Sequence, residues 1–278
     1  NFKDTHFRHN NRVFRMVITI LDDYQNVVKD LDCFKILKNH EVAVFQRSEV
    51  DNIQLAKKLE STEILILIRE RTRIDASLLS LLPNLKLICQ TGKISNHLSL
   101  KDCTQFKIPV AEGIGSPIAP AELTWALMMN TVRQIPQAID GMKNGKWQVN
   151  CGSTIFGKTI GIWGYGKIGQ IIAQYGKVFG AKILVWGSEN SRIKAISDGF
   201  EAADSKELFF SKADIISLHL RLTDSTYGIV KETDLLLMKE NSVLINTARA
   251  ELIERGKLLK CLSLGKPSFA GLDVFEEE

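Results

Sequence analysis

Short β-branched and aliphatic runs at residues 17–21, 41–45, 64–68, 85–90 and 109–111 alternate with stretches at 27–37, 53–59 and 75–81 whose apolar positions recur every three or four residues. The first kind of run reads as buried strands and the second as amphipathic helices, and their alternation is the rhythm of βαβ units on a parallel sheet. A break follows at GIGSPIAP, where Gly113, Gly115, Pro117 and Pro120 interrupt any regular element. Residues 121–133 then read as a nearly all-apolar helix suited to packing between two domains, with Glu122 and Arg133 as its polar exceptions. The strand rhythm resumes at 159–163, 182–186, 215–219, 242–246 and 268–272, the pattern of a doubly wound sheet. Two domains are predicted, 16–115 and 116–278, hinged at the break. Residues 1–15, basic, polar and aperiodic, read as an extension ahead of a natural start at Met16.

Composition narrows the classes of function. With 278 residues, 45% apolar and 24% charged, the chain is an ordinary globular protein. Its 36 Lys and Arg against 32 Asp and Glu give a net charge of +4 without a basic block, so nucleic acid is a poor fit. The longest purely apolar run, residues 64–68, is far short of the roughly 20 residues of a membrane span, so no membrane association is predicted. The five cysteines are odd in number, scattered and without a C-x-x-C pair. They suggest neither disulfides nor a metal site but reduced thiols in the cytoplasm, with Cys33 and Cys89 as buried fillers.

Chemistry enters after the 159–163 run, with G-Y-G-K-I-G from Gly164 to Gly169 opening a helical pattern. In that setting Gly164 suits a tight turn, Gly166 a close approach of pyrophosphate to backbone, and Gly169 close packing of helix on strand. Lys167 and Ile168 complete the loop. At the end of the next strand, where NAD sites usually place an acid for the ribose hydroxyls, stand Gly187 and Ser188. Glu189 could substitute for that acid, or Ser188, Asn190, Ser191 and Arg192 could cradle a ribose 2′-phosphate, so both NAD and NADP are candidate cofactors.

These motifs, together with LIRERT (Leu67 to Thr72), QTGKISNH (Gln90 to His97), AELTWAL (Ala121 to Leu127), SLHLRLTDST (Ser217 to Thr226), NTARAELI (Asn246 to Ile253) and GLDVFEEE (Gly271 to Glu278), resemble the blocks of the D-isomer-specific 2-hydroxyacid dehydrogenases in the family's order. The resemblance runs from about Met16 to the last residue. It implies two Rossmann-like or flavodoxin-like α/β domains with parallel sheets and a cleft between them, and hydride transfer between NAD(P) and a small 2-keto or D-2-hydroxy acid. It assigns Arg249 to the substrate's carboxylate and carbonyl, a chemistry that a guanidinium fork suits. Glu278 becomes the acid that pairs with a catalytic His expected beyond the 278 residues, which makes the chain a C-terminally truncated form. Asp273 would face the nicotinamide, and His219, Leu220, Thr226, Thr247 and Ala248 would line the cofactor, with His219 a structural histidine. Lys93 and Ile94 match the loop whose N–H groups receive the substrate carboxylate, and Arg69 a position near the substrate mouth.

Ser95, Ser99, Arg221 and Leu222 depart from the family's usual residues. Family members usually pair as homodimers through the nucleotide domain, which points to residues 121–142. A non-catalytic NAD(H) sensor of the same fold, as in the C-terminal binding proteins, is the alternative reading. A formate-type dehydrogenase is a weaker one, because its substrate residues are not recognisable.

Overall fold

The computed structural model describes residues 15–276 apart from positions 48 and 50. The expectations for residues 1–14 and for Glu278 therefore lie outside the described residues. The chain divides into two compact units, 1–115 and 116–278.

In the first unit, β1 (Val17–Ile20), β2 (Glu41–Val44), α1 (Asn52–Lys58), β3 (Ile64–Leu67), α2 (Ala76–Leu79), β4 (Leu87–Gln90), α3 (Leu100–Gln105) and β5 (Val110–Glu112) build a parallel sheet of order β2-β1-β3-β4-β5. Leu65, Leu67 and Ile88 on the strands meet Leu55, Leu59 and Leu78 from the helices in one buried cluster. The 27–37 stretch is not an α-helix: it forms two 3₁₀ segments, Val28–Asp30 and Lys35-containing Asp32–Leu37, with no buried residue. The Asp23 carboxylate accepts from the Val27 and Val28 amides at 3.1 and 3.0 Å and tightens the entry, and Val27, Leu31 and Ile36 stay exposed. Apolar spacing alone does not make a helix where no core face receives it. Cys33 lies in this segment and is exposed, which corrects its reading as a buried filler, whereas Cys89 is partly buried.

The second unit runs α4 (Ile118–Arg133), α5 (Ile135–Lys143), β6 (Thr159–Trp163), α6 (Lys167–Val178), β7 (Lys182–Trp186), α7 (Glu189–Ser197), β8 (Glu201–Ala202), α8 (Lys206–Lys212), β9 (Ile215–Leu218), α9 (Glu232–Leu236), β10 (Val243–Asn246), α10 (Lys257–Ser263) and β11 (Phe269–Leu272). All its strand pairs are parallel, in the order β11-β10-β9-β6-β7-β8. Residues alternate between two cores. Ile160, Ile162, Val185, Ile215 and Ile245 pack with Met128 of α4 and Ile172 of α6, while Trp163, Leu184, Ile216 and Leu244 pack with Phe209 and Phe210 of α8 and Cys261 of α10. Burial on both faces is why these strands read as continuous apolar runs. The order of the strands reverses between β6 and β9, and in sheets of this kind ligands bind outside the carboxyl ends of the strands at such a point. Both units are parallel-sheet α/β folds of the Rossmann type.

Candidate functional site

Parallel strands put the residues that follow β6, β7, β9, β10 and β11 at one edge of the second unit's sheet. The loop after β6 is the glycine turn. Gly164 has φ +102, in the region that favours glycine, and a Cβ there would stand 2.6 Å from the His219 carbonyl oxygen. The turn is stitched to both neighbouring strands: the Gly164 amide donates to the Trp186 carbonyl at 3.0 Å and the His219 amide to the Trp163 carbonyl at 2.8 Å. Gly169 is buried in α6, where a Cβ would collide with the Gly164 carbonyl oxygen and approach Ile162. Gly166 differs from both. It is exposed at the N-cap of α6, and no heavy atom lies within 4 Å of where its Cβ would be. An open glycine before a helix N-terminus is the cradle that a pyrophosphate requires, so the residues present fit a dinucleotide. Lys167 is exposed beside it, and Ile168 packs against the core below.

The end of β7 borders the turn. Gly187 has φ +153, and a Cβ there would lie 3.8 Å from the Gly164 nitrogen and 3.4 Å from Ser191 Cβ. Ser188 caps α7, accepting from the Ser191 amide at 3.3 Å.

After β9, His219 Nε2 meets the Ser217 hydroxyl at 2.9 Å, and burial of the ring pushes its pKa down to about 4. It is therefore neutral near pH 7. Leu220 packs on the adjacent core, and Thr226 closes its own loop, donating to the Arg221 carbonyl at 2.6 Å and accepting from the Thr223 amide at 2.8 Å.

After β10 the chain turns sharply at Asn246, whose buried side chain accepts from the Ala248 amide at 3.0 Å and donates to the Arg249 carbonyl at 2.9 Å. Thr247 is held at 2.6 Å by the buried Thr124 of α4, which itself bonds the Pro120 carbonyl. Arg249 is thus presented by a braced turn, and its guanidinium donates to the Ala248 carbonyl at 2.6 Å. Asp273 follows β11, its amide bonded to the Asn246 carbonyl at 3.1 Å. The structure gathers Gly164 to Gly169, Gly187, Ser188, His219, Arg249 and Asp273 at the same sheet edge.

Arg69, Lys93 and Ile94 belong to the first unit. Arg69 is exposed after β3 with φ +59, and Gln90 donates to its carbonyl at 2.9 Å while Gln90 Oε1 meets His97 Nε2 at 3.0 Å. Lys93 and the Ile94 amide both engage Glu112: the ammonium in an ion pair, the amide at 3.1 Å. These two donors hold a carboxylate of the protein itself.

Several bracing residues escape sequence reasoning. Tyr165, buried within the glycine motif, donates to Asp198 at 3.1 Å, and burial followed by the Asp198 carboxylate raises its pKa. Gln170 bonds the Tyr165 carbonyl at 3.1 Å. Their partners are distant in sequence or are backbone atoms, so no local pattern marks them, although the Asn246 turn could have been read from Asn two residues before a needed amide. An open depression of about 550 Å³ lined by Gln134, Asp140 and Asn144 contains none of the predicted site residues. Among the described residues no cluster could hold a metal ion, and no helix is long and apolar enough to cross a membrane.

Known proteins resemble this chain over most of its length. The phosphoglycerate oxidoreductase of Vibrio cholerae has a crystal structure that superposes with a TM-score of 0.90 at 52% identity, covering 95% of this chain and 85% of that one. The D-3-phosphoglycerate dehydrogenase of Methanocaldococcus jannaschii is 33% identical over 250 residues, 86% of this chain, and the chain spans 48% of that relative's length. The glyoxylate reductase of Aeropyrum pernix is 34% identical over 234 residues, which are 81% of this chain and 69% of that protein. Residues 125–278 match the D-isomer specific 2-hydroxyacid dehydrogenase NAD binding domain, and the chain belongs to that dehydrogenase family.

Proposed function

We propose that this protein interconverts a small 2-keto acid and the corresponding D-2-hydroxy acid. When bound, the nicotinamide dinucleotide supplies or receives the two reducing electrons. The observation that carries the reading is the position of Arg249, on a turn braced by Asn246 and Thr124 at the sheet edge that also holds the glycine turn. A guanidinium held there orients an α-keto carboxylate and polarises its carbonyl as charge develops on oxygen. Gly164, Gly166, Lys167, Ile168 and Gly169 seat the pyrophosphate, and Gly187, Ser188, Leu220, Thr226, Thr247, Ala248 and Asp273 line the remainder of the dinucleotide. His219, neutral and tied to Ser217, supports the turn and does not serve as the proton donor. In the first unit, Arg69, Lys93 and Ile94 are the substrate-binding set.

The test is oxidation of NADH and NADPH with a panel of 2-keto acids: glyoxylate, pyruvate, hydroxypyruvate and 3-phosphohydroxypyruvate. Arg249→Gln should lower kcat/KM by roughly ten- to a hundredfold, the weight of about 1.5–3 kcal/mol for a hydrogen bond to a charged group. Its dinucleotide affinity should not change. In a form that carries the family's catalytic His, dinucleotide binding without turnover on any keto acid overturns the enzymatic reading in favour of a sensor. The exposed Ile135, Ile139, Met142 and Trp147 support pairing of two copies through the second unit. Sedimentation should show a dimer that Ile139→Asp dissociates, and a monomer at micromolar concentration would count against it.

A further inference from the structure

The geometry points to Gln90 and His97 as a positioning pair that closes the 91–96 loop and ties it to Arg69, so that the substrate-binding set of the first unit is presented as one piece. The inference deepens the functional reading above and rests on it for the assignment of Arg69, Lys93 and Ile94 to the substrate. Arg69 follows β3, whereas Lys93 and Ile94 follow β4. Gln90 ends β4 directly before the loop, and His97 directly follows the loop's last residue. Their side chains meet across its base, Gln90 Oε1 and His97 Nε2 at 3.0 Å, while Gln90 Nε2 donates to the Arg69 carbonyl at 2.9 Å.

Gln90 is 3% exposed, so its amide depends on protein partners at both ends. Its nitrogen faces the Arg69 carbonyl, which can only accept, and its oxygen therefore faces the imidazole. His97 Nε2 then carries the hydrogen and Nδ1 the lone pair. Nδ1 is buried with no hydrogen-bond partner. The opposite tautomer would set two lone pairs against each other at Gln90 and bury an N–H at Nδ1 without an acceptor. Burial lowers the pKa of the ring, against a weaker upward pull from the Glu70 carboxylate, and so keeps it neutral near pH 7. His97 is itself anchored, its carbonyl accepting from the amide of the buried Ile74 at 2.7 Å. Arg69 needs such a hold. Its φ of +59 lies in the left-handed region, which a residue with a Cβ adopts at a cost and keeps where its surroundings enforce it. Glu112 fixes the loop separately, on Lys93 and the Ile94 amide. What the Gln90–His97 pair adds is the link from that loop to β3.

The imidazole can be read without turnover. In the whole protein at pH 7 the nitrogen-15 spectrum of the His97 ring should show the Nε2–H tautomer, and the Nδ1–H tautomer overturns the inference. His97→Leu removes the donor and strands the buried Gln90 oxygen, whereas His97→Gln returns an N–H at a similar reach. His97→Leu should speed hydrogen exchange about tenfold at the Thr91 and Leu98 amides, at the two ends of the loop, with Leu65 and Ile88 in the core changed by less than about twofold. Equal acceleration at all four positions is general destabilisation and overturns the inference. In a form that carries the family's catalytic His, His97→Leu should raise KM about tenfold for whichever of the four keto acids above is turned over, the weight of one stranded acceptor. Its kcat should stay within about threefold and its NADH affinity should not change. His97→Gln should bring KM back to within about threefold of the natural value. An equal rise in KM in both variants, or a fall in kcat alone, overturns the positioning role. Absence of turnover on all four acids by the otherwise unmodified form overturns the functional reading instead, and the tautomer and the exchange contrast then decide whether the pair holds the loop.

Discussion

Glu112 holds the Lys93 ammonium and the Ile94 amide, the two donors assigned to an incoming carboxylate. If those donors receive the substrate as proposed, the internal carboxylate competes with it, and because it is tethered its effective concentration is high. Glu112→Gln keeps the shape of the side chain and removes the charge. The KM for a 2-keto acid should fall by about three- to tenfold, the scale of one charge-assisted contact, with dinucleotide affinity constant. An unchanged KM would show that Lys93 and Ile94 lie outside the path of the substrate. His219 carries a separate prediction, about pH. Its folded pKa of about 4 lies below the ordinary 6.5. Between those values the unfolded chain binds more protons, so the stability contributed is whole above about 6.5 and is lost as pH falls toward 4. The full loss is of the order of 3 kcal/mol. Urea unfolding at pH 7 and pH 4.5 should show a decline in the natural protein that His219→Gln reduces. Parallel declines would mean that the ring is not shielded from water.

The strand, turn and helix from Thr159 to Val178 separate binding from stability. At Gly166 the space is open and the backbone ordinary, with φ −81, so Gly166→Val should leave folding within about 0.5 kcal/mol of the natural protein. The added side chain would stand where pyrophosphate must approach, and dinucleotide affinity should drop at least about tenfold. At Gly169 the same kind of change drives a methyl against the Gly164 carbonyl, and Gly169→Ala should cost about 1–3 kcal/mol whether or not a ligand is present. If Gly166→Val unfolds the protein, or Gly169→Ala is harmless, the two glycines have been assigned the wrong roles. Elements of this kind were legible because β6, β9 and β10 are buried on both faces and their apolar runs have no other explanation. The pattern failed where burial was absent: the 27–37 stretch has helical spacing but no core to pack on, and β8, two residues long, is shorter than any periodicity. Contacts such as Tyr165 to Asp198 and Thr124 to Thr247 join residues 33 and 123 positions apart, and local sequence does not encode which distant partner a hydroxyl meets.

At the scale of the molecule, each unit closes its own core, with Leu65 and Ile88 central to the first and Ile160, Ile172 and Ile216 to the second. A dinucleotide bound only by the folded second unit should therefore stabilise that unit more than its neighbour. At a hundredfold excess over Kd the linkage is about 2.7 kcal/mol, or roughly a hundredfold slowing of the amides that exchange through full opening. Hydrogen exchange should show that slowing at Ile160, Ile172 and Ile216, with Leu65 and Ile88 changed by less than about twofold. The contrast discriminates between two kinds of protein built from the same sheets. If the first unit slows equally, the two cores unfold as one cooperative body, and a change in either would be felt in the binding of both dinucleotide and keto acid. If it does not, the second unit answers to the dinucleotide by itself, and substitutions around Glu112 should alter keto-acid binding while leaving dinucleotide affinity where it was.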